Sequence, residues 1–436
     1  MKVSKSKAAI LALCLLLLGG KALAQLDETE QALTEWIDAN ADASIDLLEE
    51  IVNIGSGTMN QAGVREVGRV LREELDDIGL ETEWIELPPE ANRAGHLVGK
   101  LGGNRGKKML LIGHLDTVFE ADDTFQAYSR DGNIATGPGI DDMKSGDVMM
   151  VYALKALQAV GVLDGMQVIV FYTGDEEFAG RPLSVSRKDL IESGKWADVA
   201  LGFESGQYFD GKDWATVARR GASGWRLAVT GRQAHSSQVF SDNVGAGAIF
   251  EAARILNAFY ERVRGEEYLT FNAGAILGGT VVEYDYEQNR GAAFGKTNVV
   301  PNSAVVHGGI RTISPEQLER AQEAMLTVAQ TNLPHTTATL TFDEGYPAMA
   351  PTDGNMALQQ MFSDINEALG RGPMPALDPL RRGAADISFV APYTDALAGL
   401  GGIGKGGHSP HESFALDSMP LAVKRAAILM YRLSNQ

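Results

Sequence analysis

The apolar run Met166-Gln167-Val168-Ile169-Val170-Phe171-Tyr172 leads into Gly174-Asp175-Glu176-Glu177, and this junction constrains the chain more than any other segment. Two adjacent carboxylates at the end of a buried strand are costly unless they have partners or work to do. One acid can bind a metal while its neighbour moves protons. Three other acid- or histidine-bearing loops follow similar strand-like runs, so the junction is one of a set.

Around these runs the pattern alternates. Residues 29–54 read as helix. Residues 60–79 follow as an amphipathic helix, with Val64, Val67, Leu71, Leu75 and Ile78 at three- to four-residue spacing and Gly79 as the stop. Strands are expected at 80–85, 108–112 and 166–172, and a second apolar-faced helix at 146–160. Strands alternating with helices imply an α/β sheet. The texture changes near Arg219. A half-exposed strand at 225–230, helices at 244–259 and 315–332, and strands at 305–312 and 337–342 make a small α+β unit. The expected organisation is a discontinuous domain of residues 25–219 and 344–436, interrupted by an inserted domain of residues 220–343.

The first 24 residues stand apart. Lys2, Lys5 and Lys7 precede an apolar run from Ala8 to Leu18, and Ala22-Leu23-Ala24 offers a small-x-small cleavage site. This is the pattern of a signal peptide, short for a membrane span. The only cysteine, Cys14, lies within it. A mature chain from Gln25 would have no disulfide and no thiolate metal site, which fits a periplasmic or secreted protein. Without Lys2, Lys5, Lys7 and Lys21, 34 basic residues face 57 acidic ones, a net charge of −23. Such a surface repels nucleic acid and anionic membranes, so neither nucleic acid nor a stable membrane association is expected.

Five segments carry the chemistry. In Gly113-His114-Leu115-Asp116 the imidazole can bind metal while the acid fixes its tautomer; alone, this is a weak signal. The Gly137–Gly146 segment delivers Asp141-Asp142 to a helix start. Capping suits an Asp there, and capping and ligation can coexist if one carboxylate bridges two metals. Asp175-Glu176-Glu177 is the third segment. Phe203-Glu204-Ser205 follows an apolar stretch, and the Gly-rich 406–412 loop presents His408 and His411, the latter read as a surface residue. Two histidines and three acids, with one acid to spare and no thiolate, suit a catalytic zinc pair; manganese or cobalt can take the same donors.

Taken in order, His114-x-Asp116, Gly137-x-Gly139-x-x-Asp142-x-Lys144, Asp175-Glu176-Glu177, Phe203-Glu204, Gly231-x-x-Ala234-His235-Ser236, Asn298-x-x-Pro301 and His408-x-Pro-x-Glu412 resemble the zinc exopeptidase/amidohydrolase family. That family includes glutamate carboxypeptidase, aminoacylase and succinyl-diaminopimelate desuccinylase. The resemblance runs from about residue 40 to 435. It implies a mixed-sheet zinc-exopeptidase catalytic domain of the α/β class, with an inserted α+β lid that dimerises in many members. It also implies two zinc ions bridged by Asp142, with His114 and Glu204 completing one site and Glu177 and His408 the other. By the same resemblance Glu176 is the general base, Asp116 orients a ligand, and His235 polarises the scissile carbonyl, often from the partner subunit.

The activity so implied is hydrolysis of an amide by a water the two metals activate. The substrate is less defined. Asn298 and Arg311 resemble lid residues that approach a substrate carboxylate, although Arg311 equally suits a sheet-edge ion pair. Where the glutamate carboxypeptidase branch has a Gly-Arg-Pro-like step, this chain has Gly345-Tyr346-Pro347, which points Tyr346 toward a less acidic side chain. Gly309 replaces an Asp usual in the lid, and the Gly-rich loop before Asp386 reads Arg382-Gly383-Ala384-Ala385. Three readings stay open: a carboxypeptidase-like enzyme on small peptides or N-acyl amino acids, a dedicated deacylase or dipeptidase, and a binding module with a decayed site.

Overall fold

The computed structural model describes residues 25–286 and 288–436. The expected signal peptide and Cys14 lie outside the described residues. Among those residues no helix is long and apolar enough to cross a membrane.

A six-stranded sheet organises the larger part of the molecule. Its order is Glu81–Ile85, His96–Leu101, Met166–Thr173, Arg105–His114, Val199–Gly202 and Asp395–Leu397. The first three strands pair antiparallel, and the last four run parallel. Both faces are covered, as a parallel sheet requires. On one side lie the helices Gln61–Ile78, Ser145–Ala159 and Ser418–Leu433, whose Leu71, Leu75, Met149, Leu154, Ile428 and Leu429 are fully buried. On the other, Leu110, Phe171 and Ala200 pack with Leu190 and Val390.

Register decides where the chemistry goes. Ile112 pairs with Phe171 and with Gly202, and His114 pairs with Thr173. Three parallel strands therefore end level, and the residues beyond them are His114, Asp175–Glu177 and Glu204. Sites in open α/β sheets form at these carboxyl ends.

The helix expected over 29–54 is two helices, Glu28–Ala39 and Ala41–Val52. Asn40 breaks it by turning its side-chain amide back onto the Trp36 carbonyl (2.8 Å), the local competition that makes Asn a poor interior helix residue.

Residues after Arg219 build a second sheet, in the order Thr270–Gly279, Ser303–Thr312, Gly221–Thr230 and Thr337–Phe342, all antiparallel. The helices Ala248–Arg262 and Pro315–Gln330 cover one face around a separate core of Trp225, Leu227, Ile255, Phe259, Val306 and Met325. A hairpin, Val281–Asp285 with Arg290–Phe294, is appended to this layer.

Candidate metal centre

Asp142 sits in a tight turn where Gly139 has φ +72°, and a Cβ at Gly139 would lie 2.3 Å from the Thr117 methyl, so glycine is required there. Glu412 fastens this turn. Its fully buried carboxylate accepts N–H bonds from Asp141 (2.8 Å), Asp142 (3.0 Å) and Gly139 (3.2 Å). Burial and the Asp142 charge push Glu412 up to about 7, and burial and the same charge push Asp141 up to about 7. Burial pulls Lys144 down to about 7, where its ammonium donates to the Ile54 carbonyl (2.8 Å).

No side-chain cap from Asp142 reaches the helix that follows. Its two oxygens diverge instead: Oδ1 lies 3.2 Å from His114 Nε2 and Oδ2 3.2 Å from His408 Nε2. Glu177 Oε2 lies 3.1 Å from the same His408 nitrogen. His114 Nδ1 is 3.0 Å from the Asp116 carbonyl oxygen. That oxygen can only accept, so Nδ1 carries the proton and Nε2 is left free as a ligand. Asp142, Glu177 and His408 converge within 4.8 Å, as do His114, Glu176 and Glu177. Spacings near 3.2 Å match the edge of a coordination tetrahedron with bonds of ~2.0–2.1 Å. Asp142, Glu177 and His408 thus fit one divalent ion, and the other Asp142 oxygen, facing His114, could serve a second.

The electrostatics carry the mark of an ion's place. Burial opposes charge on His114, but Asp116 and Asp142 outweigh it and raise the imidazole well above its usual value. Asp142 is pulled below the carboxylate range, burial being outweighed by His114 and His408. Hydrogen bonds to Asp142 and Glu177 raise His408 to about 10. The carboxylates that favour a further proton on each imidazole would equally favour a metal ion in its place.

Glu204 departs from the expected arrangement. Its Oε2 is taken by Arg219 Nη1 (2.5 Å) with Arg382 Nη2 at 3.4 Å, and no metal-capable group among the described residues includes it. Arg219 also donates to the carbonyls of Gly383 (2.7 Å) and Ala384 (3.3 Å), tying the 382–386 loop to Glu204.

Asp116 acts mainly on the neighbouring loop. Oδ1 accepts the Glu176 N–H (2.9 Å); Oδ2 accepts the Glu177 N–H (3.1 Å) and the Thr58 hydroxyl (2.6 Å). Its approach to His114 Nδ1 is longer, at 3.5 Å. Burial, with the charges of Asp386, Glu204 and Glu177, raises the Glu176 carboxyl well above its usual range, although His114 opposes this. Tyr346 turns its hydroxyl to the Glu176 carbonyl (2.7 Å) and to Arg187 (2.9 Å), not to an open pocket.

The residues expected in the lid stand apart from this cluster. His235 is exposed, its Nδ1 bonded to the Ser237 hydroxyl (2.8 Å), and the short ladder His235–Val299 places it beside Asn298, whose carbonyl accepts from Ser236 (2.9 Å). Arg311 lines a cavity of about 430 Å³ with Ser223, Thr270 and Asn272. Among the described residues no hydrogen bond or ion pair joins His235, Asn298 or Arg311 to the metal-centre residues. His411 is exposed, as its surface reading requires.

Residues 110–432 match the sequence model of peptidase family M20/M25/M40. The chain belongs to this family. The enzyme is therefore a metallopeptidase. This M20 peptidase is 27% identical over 425 residues to carboxypeptidase G2 of Pseudomonas sp. (strain RS-16), covering 94% of each chain. Its fold matches a tripeptidase from Staphylococcus aureus subsp. aureus Mu50 with a TM-score of 0.68 at 18% identity, over 91% of this chain and 99% of that one. It also matches a dinuclear metal binding peptidase from Bacillus subtilis, with a TM-score of 0.62 at 13% identity, over 91% and 98% of the two chains. The mixed sheet with a separate antiparallel layer is the expected fold class.

Sequence reasoning missed Arg187, Arg219 and Arg382. The available signal was the acids: Asp175, Glu204 and Asp386 are buried or nearly so, and buried acids need cations.

Proposed function

We propose that this peptidase is an exported, carboxypeptidase-like exopeptidase that hydrolyses the amide of a C-terminal amino acid in small peptides or N-acyl amino acids. The observation that carries the chemistry is Asp142, whose two oxygens each face one imidazole at 3.2 Å. Asp142, Glu177 and His408 would hold one ion, and His114, Asp142 and Glu204 the second; Arg219 and Arg382 pair with one Glu204 oxygen and leave the other free. Zinc suits the donor set, with manganese and cobalt as substitutes. When bound, the metals supply an acidified water and a polarised scissile carbonyl. Glu176 would be the residue that holds the proton at its carboxylate and passes it on to the leaving amine. Burial and the neighbouring carboxylates raise the Glu176 pKa, the direction that strengthens a carboxylate as a base.

The lid supplies recognition. Arg311, beside Asn272 and Ser223, receives the free carboxylate of the departing residue, and Asn298 and His235 close over the amide from the lid. The similarity to carboxypeptidase G2 supports this carboxylate-directed reading. His235 is exposed and lies away from the centre, so it acts from a closed lid or from a second subunit; a homodimer through the inserted domain provides the latter. Export rests on the pattern of residues 1–24.

The deciding experiment is amide cleavage by the zinc-loaded enzyme across substrates that vary the C-terminal residue and the N-blocking group. Cleavage that needs a free C-terminal carboxylate and tolerates N-blocked substrates is expected. Activity confined to free-amine dipeptides would replace this reading with a dipeptidase, and activity confined to one acyl group with a deacylase.

A further inference from the structure

The Glu176 carboxylate receives no side-chain hydrogen bond among the described residues, unlike Glu177, which pairs with His408. Its position must therefore come from the backbone. On one side Asp116 accepts the Glu176 N–H at 2.9 Å. On the other, the Tyr346 hydroxyl donates to the Glu176 carbonyl at 2.7 Å. With both ends of the residue's peptide frame fixed, the direction of its Cα–Cβ bond is fixed too.

Tyr346 is itself held. Arg187, fully buried, donates from Nη2 to the Tyr346 oxygen (2.9 Å) and to the Asp175 carbonyl (2.9 Å). Its Nη1 donates to Asp175 Oδ1 (2.6 Å) and its Nε to Asp386 Oδ1 (2.7 Å). The Thr173 hydroxyl donates to the other Asp386 oxygen (2.5 Å). The Tyr346 ring packs edge-on against Phe389 with centroids 4.9 Å apart. One guanidinium thus fastens the strand end, the Asp175 loop, the Asp386 turn and the tyrosine. A buried ion-pair cluster is a weak source of stability in its own right. This one ends on the peptide of the residue that must meet the substrate.

We propose that Arg187 and Tyr346 are positioning residues for Glu176, with Tyr346 as the contact and Arg187 as its anchor. The proposal rests on the reading of Glu176 as general base. It gives the tyrosine at 346 a task on the protein side of the site: the phenol reaches a backbone carbonyl, and its hydroxyl is not left to meet a substrate side chain. A displacement of about 1 Å at a reacting group can cost on the order of a hundredfold in rate, so losing one of two backbone tethers should be read in kcat.

The test is Tyr346→Phe, which removes one oxygen and keeps the ring on Phe389, made alone and combined with Glu176→Gln. Metal content and thermal midpoint are measured alongside. Tyr346→Phe should lower kcat on the order of tenfold with KM within about twofold and metal content unchanged. In the Glu176→Gln background the same change should lower the residual turnover no further, because residues acting through one group are not additive. Unchanged kcat in Tyr346→Phe, a raised KM with unchanged kcat, or a full further loss in the double variant would each overturn the positioning role. If Glu176→Gln itself keeps near-normal turnover, the base assignment fails instead, whatever Tyr346→Phe does.

Discussion

Asp116→Asn tests how the site is built, because the substitution changes one atom at a position with no exposed surface. The carboxylate accepts three strong donors: the Glu176 N–H, the Glu177 N–H and the Thr58 hydroxyl. A carboxamide has one oxygen. That oxygen can keep the two donors now at Oδ2, which turns the NH2 group against the Glu176 N–H. A buried donor left without an acceptor costs ~1–3 kcal/mol. The two remaining bonds lose their charge assistance, ~0.5–1 kcal/mol each. The sum is ~3 kcal/mol. Unfolding entropy of ~2.1 cal/mol/K per residue gives about 0.9 kcal/mol per degree for a chain of this length, so the midpoint should fall by ~3–4 °C. The sign with pH follows from Asp116 itself. Burial raises its pKa, but His114, Thr58 and the Glu176 N–H outweigh burial and hold it below the usual value. Its stabilisation is therefore present above the unfolded value of ~3.9 and is lost as pH falls through the lower folded value. The penalty of the variant should be complete at pH 7 and fade in acid. Calorimetry of metal-stripped protein at pH 7.5 and at the lowest pH where unfolding stays reversible measures both. A midpoint within about one degree of wild type at pH 7.5 would show that Asp116 does not carry the loop, and the construction of the site proposed above would be wrong.

Glu176→Gln should keep its metal and lose ~10²–10⁴-fold in kcat, the span of general acid–base catalysis; metal analysis with steady-state kinetics separates the two. Chelation should abolish activity and zinc restore it, and metal uptake by stripped protein at pH 7 should release protons from His114 and His408, whose imidazolium forms the acidic neighbours favour, His408 up to about 10. Affinity for metal should accordingly fall as pH falls, and proton release of zero in weakly buffered titrations would contradict the placement of His408. Arg311→Met should raise KM ~10-fold or more for substrates with a free carboxylate and leave their C-terminal amides unaffected, a comparison that a structural ion pair would not produce. Two metal ions should bind with unequal affinity, because Arg219 and Arg382 crowd Glu204 with positive charge; Arg382→Gln should tighten the weaker ion on the order of tenfold, and equal sites in wild type would count against it.

Elements with strong local patterns were legible. The amphipathic stripe and Gly79 placed the third helix, observed as Gln61–Ile78 with Gly79 left-handed at φ +97°. The strands Met166–Thr173 and Thr337–Phe342 lie where apolar or alternating runs put them. His96–Leu101 was missed although it is an inner strand, because Gly99 and Lys100 interrupt its apolar run and its burial comes from pairing on both edges. Thr270–Gly279 and the hairpin after it were missed for a related reason. Their glycines and alanines give no period, and their pairing register is set by a partner strand distant in sequence. At the site, residue types and spacing picked out the groups that meet at Asp142. They gave no indication that Glu204 would pair with Arg219, because that contact depends on which way a strand leaves the sheet.

The buried acids of this centre differ in what offsets their charge, and the differences sort their roles. Glu412 and Asp116 are satisfied by backbone N–H groups, so they shape loops and are poor candidates for exchange with solvent or substrate. Asp175 and Asp386 share the buried Arg187 as their cation, and Glu204 pairs with Arg219. Among the described residues the Asp142 and Glu177 carboxylates are answered only by imidazoles, groups that can give up a proton and coordinate in its place. Glu176 has no side-chain partner among the described residues, and burial drives its pKa upward. A carboxylate fixed by an arginine is a weak base, and one fixed by a metal is not free to move a proton. The Asp147 carboxylate also lacks a hydrogen-bond partner among the described residues but has no exposed surface, which leaves Glu176, with its backbone tethered at both ends, as the acid proposed to move the proton. The proposed roles of the adjacent glutamates thus follow from their partners: Glu177 pairs with His408 and is assigned to the metal, and Glu176, with no such pairing, is assigned to the proton.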